Sequence, residues 1–392
     1  MNNTLILLLQ KWYAAMQQNS RNLFLEIGKS AEEIRTKIEA AYVSLFEGNP
    51  ETERIYFQVN KDNAYITDIG HDDIRSEGMS YGMTIAALLH KREVFDSLWN
   101  FAKKYMQHQK GPNEAYFAWQ VSTKDFSMMD PGAAPDGEEY FAAALIFASI
   151  IFDSPHYRKD AEHLLKAMAH KVPEDNIEVM MDAKTGLIRF SPVSGNDFTD
   201  PSYHTPAFYR LYATIIDKEF WETAATKSLQ FLKSTVDPKT GLAPDYAEFN
   251  GLPRTTPWFP ESDSFSGDAW RVALNISLDY AYFETDPWEQ QISEKRLQFF
   301  DRRRPYKSEY QIDGSDYPRP AREATPGIIA MNACAALALP QNHPLIRPFV
   351  DDLWQVKIPT GKWRYYDGML YLLALLACSG QFFPKKSTST LL

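Results

Sequence analysis

The chain alternates apolar and polar positions mostly with the period of an α-helix, and the periodic stretches carry recognisable starts and stops. Ser30-Ala31-Glu32-Glu33 reads as a capping box opening a helix with apolar positions Ile34, Ile38, Ala41 and Leu45, which ends at Gly48-Asn49-Pro50. Ser154-Pro155 and Asp286-Pro287 each pair an N-cap residue with proline at the first helical position. Further helix-period stretches lie near 77–90, 92–107, 136–152, 203–216, 219–233, 267–284, 325–338, 343–355 and 366–378. The spacing predicts about a dozen helices. Strand-like pieces at Ala64-Tyr65-Ile66-Thr67, Ala115-Tyr116-Phe117-Ala118-Trp119 and Leu187-Ile188-Arg189-Phe190 are short and lie in the connections. A parallel doubly wound sheet is therefore disfavoured. With no linker dividing the chain, the pattern predicts an all-α single domain of consecutive antiparallel helices closed into a toroid.

Composition narrows the chemistry. With 392 residues, 44% of them apolar, the chain can bury a large core. A net charge of -10 argues against a nucleic-acid surface, and the one basic cluster, Arg302-Arg303-Arg304, is read as a solvated loop. Cys334 and Cys378 fall inside apolar helical runs and are expected as small buried hydrophobes rather than a disulfide. The apolar stretch Leu5 to Leu9 is too short for a membrane span and poor as a signal peptide, so a soluble, cytoplasmic protein is expected, without membrane partners.

Three segments place an acid beside small residues and aromatics at a helix start. Glu77 lies in Arg75-Ser76-Glu77-Gly78-Met79-Ser80-Tyr81-Gly82-Met83, Asp136 in Ala134-Pro135-Asp136-Gly137-Glu138-Glu139-Tyr140-Phe141, and Asp268 in Phe265-Ser266-Gly267-Asp268-Ala269-Trp270-Arg271. A helix N-terminus favours an ionised carboxylate, whereas burial against Tyr81, Tyr140 or Trp270 favours the protonated form. Any one of these acids could be a plain N-cap, but Glu is a poor one. Sugar hydrolysis needs such a pair, one neutral acid for the leaving oxygen and one carboxylate to activate water or attack carbon. Trp119, Tyr203, Trp258, Trp270 and Trp363 fall in loops or at helix ends, where they could stack on pyranose rings.

Other chemistries drop out. His156, His163 and His170 share a helix face, but seven-residue spacing separates neighbours by about 10 Å along the axis, too far for one metal ion. HExxH, CxxC, Walker and GxGxxG patterns are absent, and Gly78-Met79-Ser80-Tyr81-Gly82 lacks the preceding apolar strand a nucleophile elbow requires. Acid–base chemistry without metal or cofactor is what the residues point to.

In these segments the chain resembles glycoside hydrolase family 8. The Arg75–Met83 run resembles the family's general-acid segment, the Ala134–Phe141 run its second acidic segment and Asp268-Ala269-Trp270-Arg271-Val272 its base segment. Asp200-Pro201-Ser202-Tyr203-His204 and Arg364-Tyr365-Tyr366-Asp367 resemble further motifs. The resemblance implies an (α/α)6 barrel over residues 21–383, flanked by an extension at 1–20 and a tail at 384–392, with an inverting mechanism; the sequence leaves the oligomeric state open, with a monomer favoured. It implies Glu77 as general acid, Asp268 as general base and Asp136 as the residue that binds and helps distort the central sugar. Tyr203 and Arg271 would order the water and the base, and Trp119, His204, Tyr365 and Tyr366 would contact substrate. Within the family the chain looks like the xylan-active branch, especially the reducing-end xylose-releasing exo-oligoxylanases, so a xylo-oligosaccharide or xylan substrate is expected. Those enzymes carry a Leu-His-Pro loop that closes the cleft beyond the leaving xylose. The corresponding stretch here is Arg322-Glu323-Ala324-Thr325-Pro326-Gly327, which keeps the proline without the histidine and leaves an endo-xylanase as the alternative. More distant alternatives are a polysaccharide lyase using Tyr203 and His204, or a sugar-binding protein.

Overall fold

A computed structural model describes residues 21–384. The expected extension at 1–20, the Leu5–Leu9 stretch and all but the first residue of the tail lie outside the described residues. Among those described, twelve α-helices of seven residues or more follow one another: α1 Ala31–Tyr42, α2 Ser76–Leu88, α3 Arg92–Phe101, α4 Pro135–Ile151, α5 Pro155–His170, α6 Pro206–Tyr212, α7 Lys218–Thr235, α8 Val272–Phe283, α9 Pro287–Asp301, α10 Pro326–Ala335, α11 Ile346–Gln355 and α12 Arg364–Cys378. The even-numbered helices are apolar nearly all round. In α4 every residue from Pro135 to Ala148 is buried, and α2 and α12 are almost as enclosed. A helix with no polar face has to lie inside, and these six form the inner ring.

Contacts close that ring. Each inner helix packs against the next inner one, α2 on α4, α4 on α6, and so on round to α12 on α2. The odd-numbered helices are amphipathic and pack outside. In α3 the buried positions are Phe95, Ser97, Leu98, Trp99 and Phe101, while polar residues face away. Each outer helix packs on an inner partner, α3 on α2, α5 on α4, α7 on α6, α9 on α8, α11 on α10 and α1 on α12. The result is the six-hairpin (α/α)6 toroid, with one main hydrophobic cluster running from Leu23 to Phe383. Cys334 and Cys378 are both free and buried.

The capping box at Ser30 is present, its side chain accepting from the Glu33 N–H while Glu33 accepts from the Ser30 N–H. Two expected helix starts are 3-10 turns instead. The stretch from 203 opens with a 3-10 turn, Pro201–Tyr203, and becomes α-helical only at Pro206, whose fixed φ suits a first helical position. The stretch from 267 likewise begins as a 3-10 turn, Asp268–Arg271, before α8.

Strands are short and confined to the connections. Tyr56–Gln58 pairs with Ala64–Ile66, Phe198–Thr199 pairs with Ala247–Glu248, and Asp73–Arg75, Gln120–Ser122 and Met128–Asp130 form a three-stranded sheet. The pieces expected at 115–119 and 187–190 make only isolated bridges. Ala115 adopts φ 73°, which breaks an extended run, and the strand starts instead at Gln120. Pairing of Arg75 with Gln120 brings Trp119 beside Ser76, whose N–H donates to the Trp119 carbonyl at 3.0 Å. The segment carrying Glu77 thus enters α2 straight from a sheet.

Candidate active site

Because every inner helix is antiparallel to the outer helix beside it, the six inner N-termini face one end of the toroid. Glu77 is the second residue of α2 and Asp136 the second of α4. Tyr203 precedes α6, Asp268 and Arg271 precede α8, and Tyr365 and Tyr366 open α12. Residues up to 289 positions apart in sequence therefore meet over one ring of helix ends.

Arg271 holds them together. Its Nη1 donates to Asp136 Oδ2 at 2.7 Å, to Glu77 Oε2 at 3.1 Å and to the Tyr81 hydroxyl at 2.9 Å. Its Nη2 donates to Asp268 Oδ1 at 3.2 Å and lies 3.7 Å from Asp200 Oδ2. Glu77 and Asp268 thus occupy the two prongs of a single guanidinium fork. The Tyr365 hydroxyl donates to the other Glu77 oxygen, Oε1, at 2.9 Å. Gly78 lets that tyrosine in, since a Cβ at position 78 would stand 2.5 Å from its ring.

Burial decides the protonation of the acids. It pushes the Glu77 carboxyl up to about 7, opposed by the Arg271 and Arg75 guanidinium groups and assisted by the negative charges of Asp136 and Asp268. The helix N-terminus, which alone would lower the value, loses to desolvation. Burial also raises Asp136, against the pull of Arg271. Asp268 is the most open of the group, with 36% of its side-chain surface accessible. One neutral acid and one more solvated carboxylate on a shared cation is an arrangement suited to proton transfer at two opposite faces of a sugar.

The carboxylates stand where two chambers meet. One of about 570 Å³ runs from Glu77, Asp136 and Asp268 past Trp119, Phe190 and Tyr203 to Trp258. Within it Tyr203, Phe190 and Trp258 form a row, with centroid separations of 6.1 and 6.5 Å. The other, of about 280 Å³, is lined by Glu77, Asp268, His71, Arg322, Trp363, Tyr365 and Tyr366. Trp258 and Trp363, 62% and 60% exposed, mark the outer ends.

Most of the expected site residues converge here: Glu77, Asp136, Asp268, Arg271, Trp119 and Tyr203 line the first chamber, and Tyr365 and Tyr366 the second. His204 does not. It is buried, its ring nitrogens bonded to Ser228 Oγ at 2.9 Å and Thr199 Oγ1 at 3.0 Å, its ring stacked on Phe231, and burial lowers it to about 3. The polar segment 200–204 turns back into the protein after Tyr203, so His204 is a satisfied core histidine rather than a sugar contact. It is likewise unavailable as the acid of a lyase. Trp270 is largely buried, its Nε1 donating to the Ser308 carbonyl, yet it also lines the second chamber.

Two further acids drew no role from the sequence, although one of them opens the Asp200–His204 motif. Asp200 is buried, its Oδ2 within ion-pair distance of Arg271 but without a hydrogen bond, and Asp245 is buried next to the Asp268 loop. A signal for Asp245 existed: Ala243-Pro244-Asp245-Tyr246 repeats the Ala-Pro-Asp theme of Ala134-Pro135-Asp136.

Comparison with known proteins bears on the same residues. The model of the glycosyl hydrolases family 8 matches residues 63–380. The chain is 40% identical over 374 residues to the reducing-end xylose-releasing exo-oligoxylanase of Paenibacillus barcinonensis, covering 92% of this chain and 95% of that one. It is 39% identical over 372 residues to the corresponding enzyme of Halalkalibacterium halodurans, covering 92% and 93%. The crystal structure of a GH8 xylobiose complex from Teredinibacter turnerae superposes with a TM-score of 0.87 at 39% identity, covering 93% of this chain and 98% of that one. With the toroid, the paired acids and these likenesses in agreement, the chain belongs to glycoside hydrolase family 8 and is a glycoside hydrolase.

Proposed function

We propose that this hydrolase cleaves β-1,4-xylosidic bonds of xylo-oligosaccharides with inversion and releases xylose from the reducing end. The observation that carries this reading is the placement of Glu77 and Asp268 on opposite prongs of Arg271 at the junction of the two chambers. A sugar bound across the junction presents its glycosidic oxygen to the Glu77 carboxyl, protonated below about pH 7. Glu77 gives its proton to that oxygen as the C1–O bond breaks. Asp268 takes a proton from a water that attacks C1 from the other face, so the product hydroxyl has the opposite configuration. Such a reaction calls for carboxyl groups about 6.5–9.5 Å apart, room enough for the water. Asp136, held by Arg271 and the Gly137 N–H, is suited to bind and distort the ring being cleaved. Tyr203, beneath the Arg271 guanidinium, is suited to order the water.

Relatives that release xylose from the reducing end support the exo mode, as does the asymmetry of the cleft, about 280 Å³ on the side of Arg322 against about 570 Å³ on the other. The absence of the leucine and histidine from Arg322–Gly327 favours internal cutting as the second reading. Reducing-end-labelled xylo-oligosaccharides separate the two: labelled monomer alone supports the exo mode, and a spread of labelled lengths refutes it. Glu77→Ala and Asp268→Asn should each reduce turnover by about 10²–10⁴-fold or more with the fold intact. Wild-type-like turnover in either variant would end the assignment. Early-turnover proton NMR showing product of unchanged anomeric configuration would end the inverting mechanism.

A further inference from the structure

Asp268 is the least buried acid on Arg271, and its own local structure is weak. Its side chain keeps 36% of its accessible surface, against 16% for Glu77 and 6% for Asp136. It follows a glycine and opens a four-residue 3-10 turn, and a Cβ built at Gly267 would meet nothing within 4 Å. A carboxylate that must meet a water within tenths of an ångström needs firmer support than that.

The support comes from Asp245. Its Oδ1 accepts from the Ala269 N–H at 2.8 Å and its Oδ2 is hydrogen-bonded to Ser266 Oγ, so that one carboxyl group brackets Asp268 from two residues before and one residue after. Asp245 is itself anchored, its N–H donating to the Ser264 carbonyl and that of Tyr246 to the Ser262 carbonyl. It is fully buried and lines neither chamber, so it cannot touch substrate.

We propose that Asp245 is a positioning residue that fixes the Asp268 loop in its reactive register, and that it does so as an uncharged carboxyl group. The inference rests on the reading of Asp268 as the base. The titratable groups facing Asp245 are Asp268, Tyr246 and Tyr317, and no lysine or arginine among the described residues pairs with it. An ionised Asp245 would therefore set an uncompensated negative charge beside the base. Burial first, and the Asp268 charge second, push its carboxyl up to about 8. Two hydrogen bonds need only one acceptor and one partner for a hydroxyl, both of which an amide supplies.

The test compares Asp245→Ala with Asp245→Asn on a xylo-oligosaccharide, reading kcat and KM separately, with thermal unfolding of each variant. Removing the clamp should lower kcat about 100-fold while KM moves less than about threefold, because a misplaced base weakens the transition state and not the ground state. Asparagine, whose oxygen can accept from Ala269 and whose NH2 can donate to Ser266, should restore kcat to within about tenfold of the parent. Ser266→Ala, which removes one of the two bonds without altering the core, should lower kcat by roughly tenfold and serves if Asp245→Ala fails to fold. Unchanged kcat in folded Asp245→Ala or in Ser266→Ala overturns the proposal. So does Asp245→Asn that folds yet is as inactive as the alanine variant, since charge rather than the clamp would then matter. Asp268→Asn is assayed alongside, because activity surviving there sinks the base assignment rather than the clamp.

Discussion

Replacing Tyr365 by phenylalanine tests how the acid is tuned. In the parent, the Tyr365 hydroxyl donates to Glu77 Oε1 at 2.9 Å, while Oε2 faces Arg271 at 3.1 Å. A hydrogen bond to a charged acceptor contributes about 1.5–3 kcal/mol and one to a neutral acceptor about 0.5–1.5, so the Tyr365 bond favours the ionised acid by about 1 kcal/mol. At 1.36 kcal/mol per pH unit, its loss raises Glu77 by a little under one unit, from about 7 to about 8. The sign follows from the role proposed for Glu77: a general acid works only when protonated, so activity should fall as pH rises through its value, and Tyr365→Phe should extend the active range upward. The assay is kcat/KM against pH, which reports the free enzyme. Tyr366→Phe, whose hydroxyl bonds the Gly267 carbonyl instead, is the control and should leave the alkaline limb in place. An alkaline limb that stays put or moves down in Tyr365→Phe would show that Glu77 is not the group being titrated.

Three further outcomes are expected. Gly78→Ala drives a methyl group into the Tyr365 ring, so it should cost about 1–3 kcal/mol of stability and lower kcat, measurable by denaturant titration beside turnover. His204→Ala strips partners from Thr199 and Ser228 and leaves a cavity; denaturant unfolding should show a loss of about 2–4 kcal/mol, with kcat/KM of the folded enzyme unaffected. Trp258→Ala and Trp363→Ala each remove an exposed ring at one end of the cleft and should raise KM by roughly 5–10-fold, the scale of one aromatic contact, with the Trp258 effect growing with substrate length.

The helical toroid was legible because its signals are local. The capping box at Ser30, the proline starts at 155 and 287 and the helix-period runs each depend on residues within a turn or two of one another. Glu77, Asp136 and Asp268 stood out for the same reason, as charges set in apolar helix starts. Tyr203 and His204 show the limit. They are adjacent in one polar motif, yet the chain turns between them, and one faces the cleft while the other is spent on Thr199 and Ser228. Asp245 shows in the sequence only as a repeat of the Ala-Pro-Asp theme, and its place beside the site was hidden because its partners, Ser266 and Ala269, lie more than twenty positions away.

By itself the sequence determined which stretches are helical, which helices have no polar face, and which acids sit at their beginnings, because periodicity, capping and the cost of burying charge act over a few residues. Only the tertiary structure decided that these acids share one guanidinium, that burial lifts Glu77 to about 7, and that the cleft divides into unequal chambers. Those properties depend on distances and dielectric surroundings created when the ring closes and brings residue 77 against residue 271, and no local pattern records them.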